Sequence, residues 1–357
     1  MFAKKGKKSF GGSFRNKKPE TTKVSSLDLI HESTLIPGNP LPLIIQPAVP
    51  GLSLKEWTHD NIKYIEEKLL QHGGILFRGF EMNGDADFAD YVHSLPYERM
   101  PYFEGSTPRQ AVGDKVYTST MFPSDETIAL HNEYSSSTKF PMKVWFFCTE
   151  EPEDGGETPI ASTPGILNRL DPEVRDRFER LGWMLIRNFG DGLGLPWRRA
   201  YAIEDPDVLE RYVAENEIEM RWKDDAKERL WTRQVRSAIL EHPITGTKVW
   251  FNHMSFWHAA NLNDEVLGEM LKQVGMDGLP YHTYYGDGSP IPDSVARDIA
   301  NAYLAEKIKF RWQKGDLMWA DNMLISHGRE AFTGPRKIRV AMGEPFYRPS
   351  FEPLIAV

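Results

Sequence analysis

The apolar positions of the chain fall into short runs whose period changes several times. LPLIIQPAVPGL (41–52) is an apolar run closed by prolines and predicts a strand. LKEWTHDNIKYIEEKLLQHG then repeats apolar residues every three to four positions up to a Gly at 73, the pattern of an amphipathic helix with a glycine stop. GGILFRGF (73–80) predicts a buried strand and ADFADYVHSL (86–95) a second helix. VYTST (116–120), TIALHNEYS (127–135) and MKVWFFC (142–148) are β-branched or aromatic runs separated by Pro, Ser and Asp, so from 126 the chain reads as packed strands.

EEPEDGGETPIAST (150–163) is a Pro/Gly turn leading into a strand. From 164 to 310 the pattern becomes charged and helix-like, as in DPEVRDRFERLGW and SVARDIANAYLAEKIKF, and reads as a large helical insertion. Inside it, ILEHPITGTKVWFNH (239–253) carries a hairpin-like turn at Pro-Ile-Thr-Gly. KGDLMWADNMLISHGREAFTGPRKIRVAMGEPF (314–346) holds two strand-like segments around a Gly-rich turn. The strand-rich regions 116–163 and 239–346 are therefore expected to pair across the insertion, giving a single domain over 26–357 with the insertion as its lid.

With 40% hydrophobic and 12% aromatic residues in 357 positions, the chain can bury a large core. Residues 1–23 hold eight Lys or Arg against Glu20, so residues 1–25 are expected to be a basic, disordered tail. A net charge of −8 for the whole chain leaves the remainder strongly acidic, which argues against a nucleic-acid-binding body. A single cysteine, Cys148, removes internal disulfides and cysteine-based zinc sites. No apolar run approaches 18 residues, so a cytoplasmic protein with no membrane partner is expected.

Two ionisable groups head an apolar run at LHNEYSSSTKFPMKVWFFC (130–148). If 127–135 is a strand, His131 and Glu133 project from one face and can hold one object together. The best-placed late histidine is His327, in NMLISHGRE. Two imidazoles and one carboxylate form the facial triad that suits non-haem Fe(II) and leaves positions open for a co-substrate and oxygen. Arg336 follows a Gly-Pro turn, and by parity it shares a face with Ile338 and Val340, opposite Lys337 and Arg339. An inward guanidinium near a metal calls for a bidentate anion, which a dicarboxylate co-substrate supplies.

GGILFRGF, TSTMFPSDETIALHNE, GGET (155–158), HPITGTKVWFN (242–252) and DNMLISHGREAFTGPRK (321–337) together resemble the taurine dioxygenase and clavaminate synthase-like family of Fe(II)/2-oxoglutarate oxygenases, especially its SyrP-like branch. The likeness covers about residues 45–347. It implies an α+β fold with a double-stranded β-helix core of the jelly-roll, cupin-like type, and Fe(II), 2-oxoglutarate and O2 as cofactors. It also implies iron on His131, Glu133 and His327, and 2-oxoglutarate ending on Arg336 with help from the Thr158 hydroxyl. Asn252 matches a family position near the active site. The chain departs from the family pattern at Ser136, where Tyr is usual, and at Arg198-Arg199, the candidates to meet an acidic group on the substrate or on a carrier's phosphopantetheine arm.

The expected reaction is hydroxylation of a free or carrier-bound amino acid, or a derivative of one, in natural-product biosynthesis, with release of succinate and CO2. Desaturation, epoxidation or cyclisation use the same ligands. Glu133 argues against halogenation, for which relatives replace the carboxylate by a small residue. A non-catalytic jelly-roll binding protein would have no need of three ligands plus Arg336.

Overall fold

The computed structural model describes residues 25–102, 111–119 and 122–354. The expected basic tail lies outside them except for Ser25, as do Thr120 and Met121 of the 118–133 stretch.

An eight-stranded sheet runs in the order Ile30–Ile36, Asn39–Pro47, Gly74–Phe77, Leu317–Asp321, Lys139–Glu150, Lys337–Tyr347, Val116–Thr118, Ala111–Gly113. Its long strand Lys139–Glu150 shows why 144–148 is an uninterrupted apolar run: both faces are buried. Phe140, Met142, Val144, Phe146 and Cys148 pack inward. Trp145 and Phe147 pack outward with Trp57, Leu69, Phe88 and Tyr91 of the N-terminal helices. Opposite the inward face, Ile128–His131, Ile325–Arg329 and Ile160–Ser162 form a second, three-stranded sheet. The two sheets make the jelly-roll core that the motifs implied.

The predicted strand, helix, strand opening is present. Asn39–Pro47 pairs in parallel with Gly74–Phe77, and the helical stretch between them is split at Asn61 into Leu54–Asp60 and Ile62–His72. Gly73 stops the second helix in the left-handed conformation, its N–H donating to Leu69 O, and a Cβ there would lie 2.6 Å from Ile325 Cγ2.

The insertion contains the expected helices, including Pro172–Leu181 and Asp293–Glu306. It also carries a four-stranded antiparallel sheet in the order Glu219–Trp222, Leu230–Arg236, Trp183–Phe189, Tyr281–Tyr285. That sheet escaped the hydrophobic pattern because its buried face is partly polar: in Leu230–Arg236 the buried positions are Leu230, Thr232, Gln234 and Arg236. The hairpin Ile239–Glu241/Lys248–Trp250 pairs with itself, so pairing with 116–163 begins not at 239 but at the Ile308–Ile160 bridge, and continues from 317. A buried contact ties the hairpin to the core instead, His242 Nε2 lying 3.1 Å from Asp321 Oδ2. The His242 Nδ1 accepts from the Ile244 and Thr245 N–H groups, so Nε2 is the donating nitrogen.

Candidate active site

Ile128–His131 pairs antiparallel with Ile325–Arg329, which sets His131 directly opposite His327 with ring centroids 4.7 Å apart. The strand ends at His131 and does not continue to 135. Glu133 reaches the histidines through a turn, at whose next residue, Tyr134, φ is +56°. Two asparagines hold that turn. Asn322 Oδ1 accepts from the Glu133 N–H at 2.8 Å, and its Nδ2 donates to Glu133 O at 2.9 Å and to Pro141 O at 2.8 Å. Asn132 Nδ2 donates to Asn322 O at 2.6 Å and to Ile325 O at 2.9 Å. These five bonds replace water that the buried backbone has lost.

The outcome is convergence. One ligand atom from each of His131, Glu133 and His327 lies within 4.8 Å of the others, and Glu133 Oε1 is 3.3 Å from His327 Nε2. His131 Nδ1 lies 2.8 Å from Ala129 O, a contact that makes Nδ1 the donor and leaves Nε2 as the basic nitrogen. Two imidazole nitrogens and one carboxylate oxygen, with Glu133 and His327 buried, fit a divalent iron with open positions.

A cavity opens beside the triad. His131, His327, Ser119, Thr158, Arg329 and Arg336 supply its polar wall, and Phe146, Ile338 and Val340 its apolar one. Arg336, Ile338 and Val340 thus share the cavity, whereas Lys337 pairs with Glu150 at 2.6 Å and Arg339 with Asp85 at 2.7 Å. Arg336 Nε donates to Gly156 O at 2.8 Å, and its two terminal nitrogens face Ser119 Oγ at 3.3 Å and Thr158 Oγ1 at 3.4 Å. No carboxylate lies within ion-pair reach of it among the described residues. Burial, and then the Arg329 charge, push its pKa down to about 10. Thr158 is fixed by Trp312, whose Nε1 donates to its Oγ1 at 3.0 Å. Gly156 has φ +66°, and a Cβ there would sit 3.0 Å from Arg336 Cδ, which explains the glycine in GGET.

Over residues 37–342 the chain matches the taurine catabolism dioxygenase TauD, TfdA family. The chain belongs to this family. It is 37% identical over 318 residues to the dapdiamide synthesis protein DdaC of Enterobacter agglomerans, covering 89% of this chain and 95% of that protein. It is 29% identical over 323 residues to a clavaminate synthase-like protein of Arabidopsis thaliana, covering 85% and 94%. Among solved structures, PvcB, an Fe, α-ketoglutarate-dependent oxygenase from an isonitrile synthetic pathway, superposes with a TM-score of 0.52 at 17% identity, covering 88% of this chain and 91% of that one. The protein is accordingly an oxygenase of the TauD/TfdA family, whose cofactors are Fe(II), 2-oxoglutarate and O2. No helix among the described residues is long and apolar enough to cross a membrane.

Three expected site residues are not brought to the cavity. The Asn252 side chain is taken up by its own turn, Nδ2 donating to Ala238 O at 2.9 Å and Oδ1 accepting from Met254 N at 3.0 Å. Arg198 pairs with Glu228 at 2.7 Å and stacks over Trp197 at 4.3 Å, while Arg199 is exposed on the short helix Trp197–Tyr201. A departure from the family pattern and a place in the expected lid had pointed to this pair. Residues that the sequence reading passed over stand nearer. Arg329 lies two residues after His327, hence on the same face, and donates to Phe122 O at 2.9 Å as well as to Pro123 O and Glu126 O. Parity would have found it. His253 sits with its ring 5.7 Å from His131, its Nδ1 2.5 Å from Ser135 Oγ and its plane stacked 4.4 Å from Trp257. Burial first, then the neighbouring His131, hold its pKa well below the usual histidine value.

Proposed function

We propose that the protein hydroxylates an amino acid or amino-acid-derived small molecule in natural-product biosynthesis, consuming 2-oxoglutarate and O2 and releasing succinate and CO2. The observation that carries this reading is the convergence of His131, Glu133 and His327 within 4.8 Å beside a cavity that contains an unpaired guanidinium, Arg336. The name of DdaC, a dapdiamide synthesis protein, supports the pathway class.

In this reading His131, Glu133 and His327 hold Fe(II), which supplies the oxidising chemistry when bound. Arg336 receives the distal carboxylate of 2-oxoglutarate as a planar fork, with Thr158 Oγ–H as a further donor. Phe146, Ile338 and Val340 exclude water from the chain of the co-substrate. Asn132 and Asn322 keep the carboxylate of Glu133 aimed at the histidines by fixing its backbone. The insertion 164–310 covers the mouth and selects the substrate.

The test is Fe(II)-dependent succinate formation together with mass spectrometry of products from a panel of free and carrier-bound amino acids. His131→Ala, Glu133→Ala and His327→Ala are each expected to abolish succinate release, because a triad short of one ligand holds iron weakly. Full activity in any one of them would remove that residue from the site, and a product 2 Da lighter than its substrate would replace hydroxylation by desaturation.

A further inference from the structure

Arg187 lies on the strand Trp183–Phe189, on the face of the insertion's sheet that packs against the core. Its register partners are Thr232 on one side and Tyr281 on the other, so the three side chains form one cross-strand row. That face looks toward the triad. Gln234 and Arg236 on it both donate to Ser136 O, three residues beyond Glu133. Trp183 on it stacks 6.3 Å from Trp257, which stacks in turn on His253 beside His131.

The other buried arginines of the described residues all donate to backbone oxygens. Arg329 donates to Phe122, Pro123 and Glu126, Arg348 to Ser135, Ser137 and Ser237, and Arg236 to Ser136, Asn216 and Glu217. Arg187, only 8% exposed, makes no ion pair and donates no hydrogen bond among the described residues. It contacts ring faces alone, its Cζ lying 4.6 Å from the Phe189 centroid and 5.8 Å from that of Tyr201. Ring faces hold the plane of a guanidinium but satisfy none of its five N–H donors, which are left for a ligand. Glu133, the buried acid of this region, directs its Oε1 to His327 instead.

We infer that Arg187 binds a free carboxylate of the substrate, with the Tyr281 hydroxyl beside it. The inference rests on the oxygenase reading above and names its substrate class. A monoanion with two oxygens matches one planar fork. Depth argues against the phosphate of a carrier arm, since Arg187 is 8% exposed and lies on the face from which Gln234 and Arg236 reach Ser136. An amino acid tethered through its only carboxylate has lost that group to the thioester, so such a conjugate is not the substrate.

The experiment reads binding without turnover. Enzyme loaded with Fe(II) and 2-oxoglutarate under anaerobic conditions is titrated with the proteinogenic L-amino acids, their carboxamides and their N-acetylcysteamine thioesters, and melting temperature is followed. At least one acid is expected to raise it while its carboxamide and thioester do not. Arg187→Met is expected to weaken that binding by about tenfold to a hundredfold, and Arg187→Lys by less, while Arg199→Met leaves it unchanged. Ligand-free Arg187→Met is expected to melt close to the wild type, since it removes no hydrogen bond and no ion pair; a purely structural arginine would lower it. Equal binding of acids and carboxamides, tight binding of a thioester, no binding of any acid to the wild type, or a lower melting temperature with unchanged binding would each overturn the inference. If binding depends on Arg187 but the aerobic wild type makes no succinate, the oxygenase reading fails and the carboxylate site stands.

Discussion

Replacing Arg336 by Lys keeps the charge and removes the fork. In the structure the guanidinium is aimed by Nε, which donates to Gly156 O at 2.8 Å, while its two terminal nitrogens diverge toward Ser119 and Thr158 over a cavity that holds no carboxylate of the protein. A lysine ammonium reaching the same place offers a point charge, gives up the Gly156 anchor and one of two parallel bonds to a bound carboxylate. Losing one charged hydrogen bond costs about 1.5–3 kcal/mol, which is about a 10- to 150-fold rise in the KM for 2-oxoglutarate. Arg339→Lys is the control. Its partner Asp85 is half-exposed and lies off the cavity, so that change should cost at most about 1 kcal/mol of stability and leave KM alone. The assay is succinate release against 2-oxoglutarate concentration at saturating Fe(II). An unchanged KM in Arg336→Lys, or the same rise in Arg339→Lys, would refute the assignment of Arg336 to the co-substrate.

Asn322→Ala removes three buried hydrogen bonds to Glu133 and Pro141 and should cost about 2–4 kcal/mol in urea unfolding, together with weaker Fe(II) binding measured by titration. Gly156→Ala places a Cβ 2.9 Å from Pro152 Cγ and 3.0 Å from Arg336 Cδ at φ +66°, so stability should fall by about 1–2 kcal/mol and the KM for 2-oxoglutarate should rise. Burial holds the His282 pKa at about 4, below the usual 6.5, and its Nδ1 accepts from the Ala259 N–H. The unfolded chain therefore takes up this proton first as pH falls, so stability present above pH 6.5 should be lost between 6.5 and 4, at up to about 1.4 kcal/mol per pH unit. Urea melts across that window should show a shallower slope in His282→Asn; an unaltered slope would exclude this histidine as a source.

Much of the core was legible because its strands are buried on one or both faces and their runs are correspondingly apolar, as in 142–148 and 73–80. Gly73 announced its helix end by the conformation only glycine adopts cheaply. Arg336 shares the cavity with Ile338 and Val340, although it precedes the strand Lys337–Tyr347, whose register shifts between Lys337 and Ile338. Glu133 was found by an argument that the chain does not use, since it lies past the strand end and is carried back by Asn322, 189 residues away. Nothing local in the sequence announces such a clamp. Arg187 was hidden for a related reason: its strand joins neighbours some 45 and 95 residues further on, and the buried face they share carries Thr, Gln and Arg where a pattern of apolar alternation was sought.

The buried pair His242–Asp321 constrains how the enzyme can be rebuilt. Asp321 Oδ1 also accepts from the Met323 and Leu324 N–H groups, shaping the loop that contains Asn322. The hairpin at 239–250 is thus a keystone shared by two modules, and a chimera exchanging everything between 164 and 310 would pull out a support of the turn that carries Glu133. Transplants of specificity should be cut inside that hairpin, leaving 239–253 with the recipient and trading the segment that contains Trp183–Phe189 and Leu230–Arg236 as a unit.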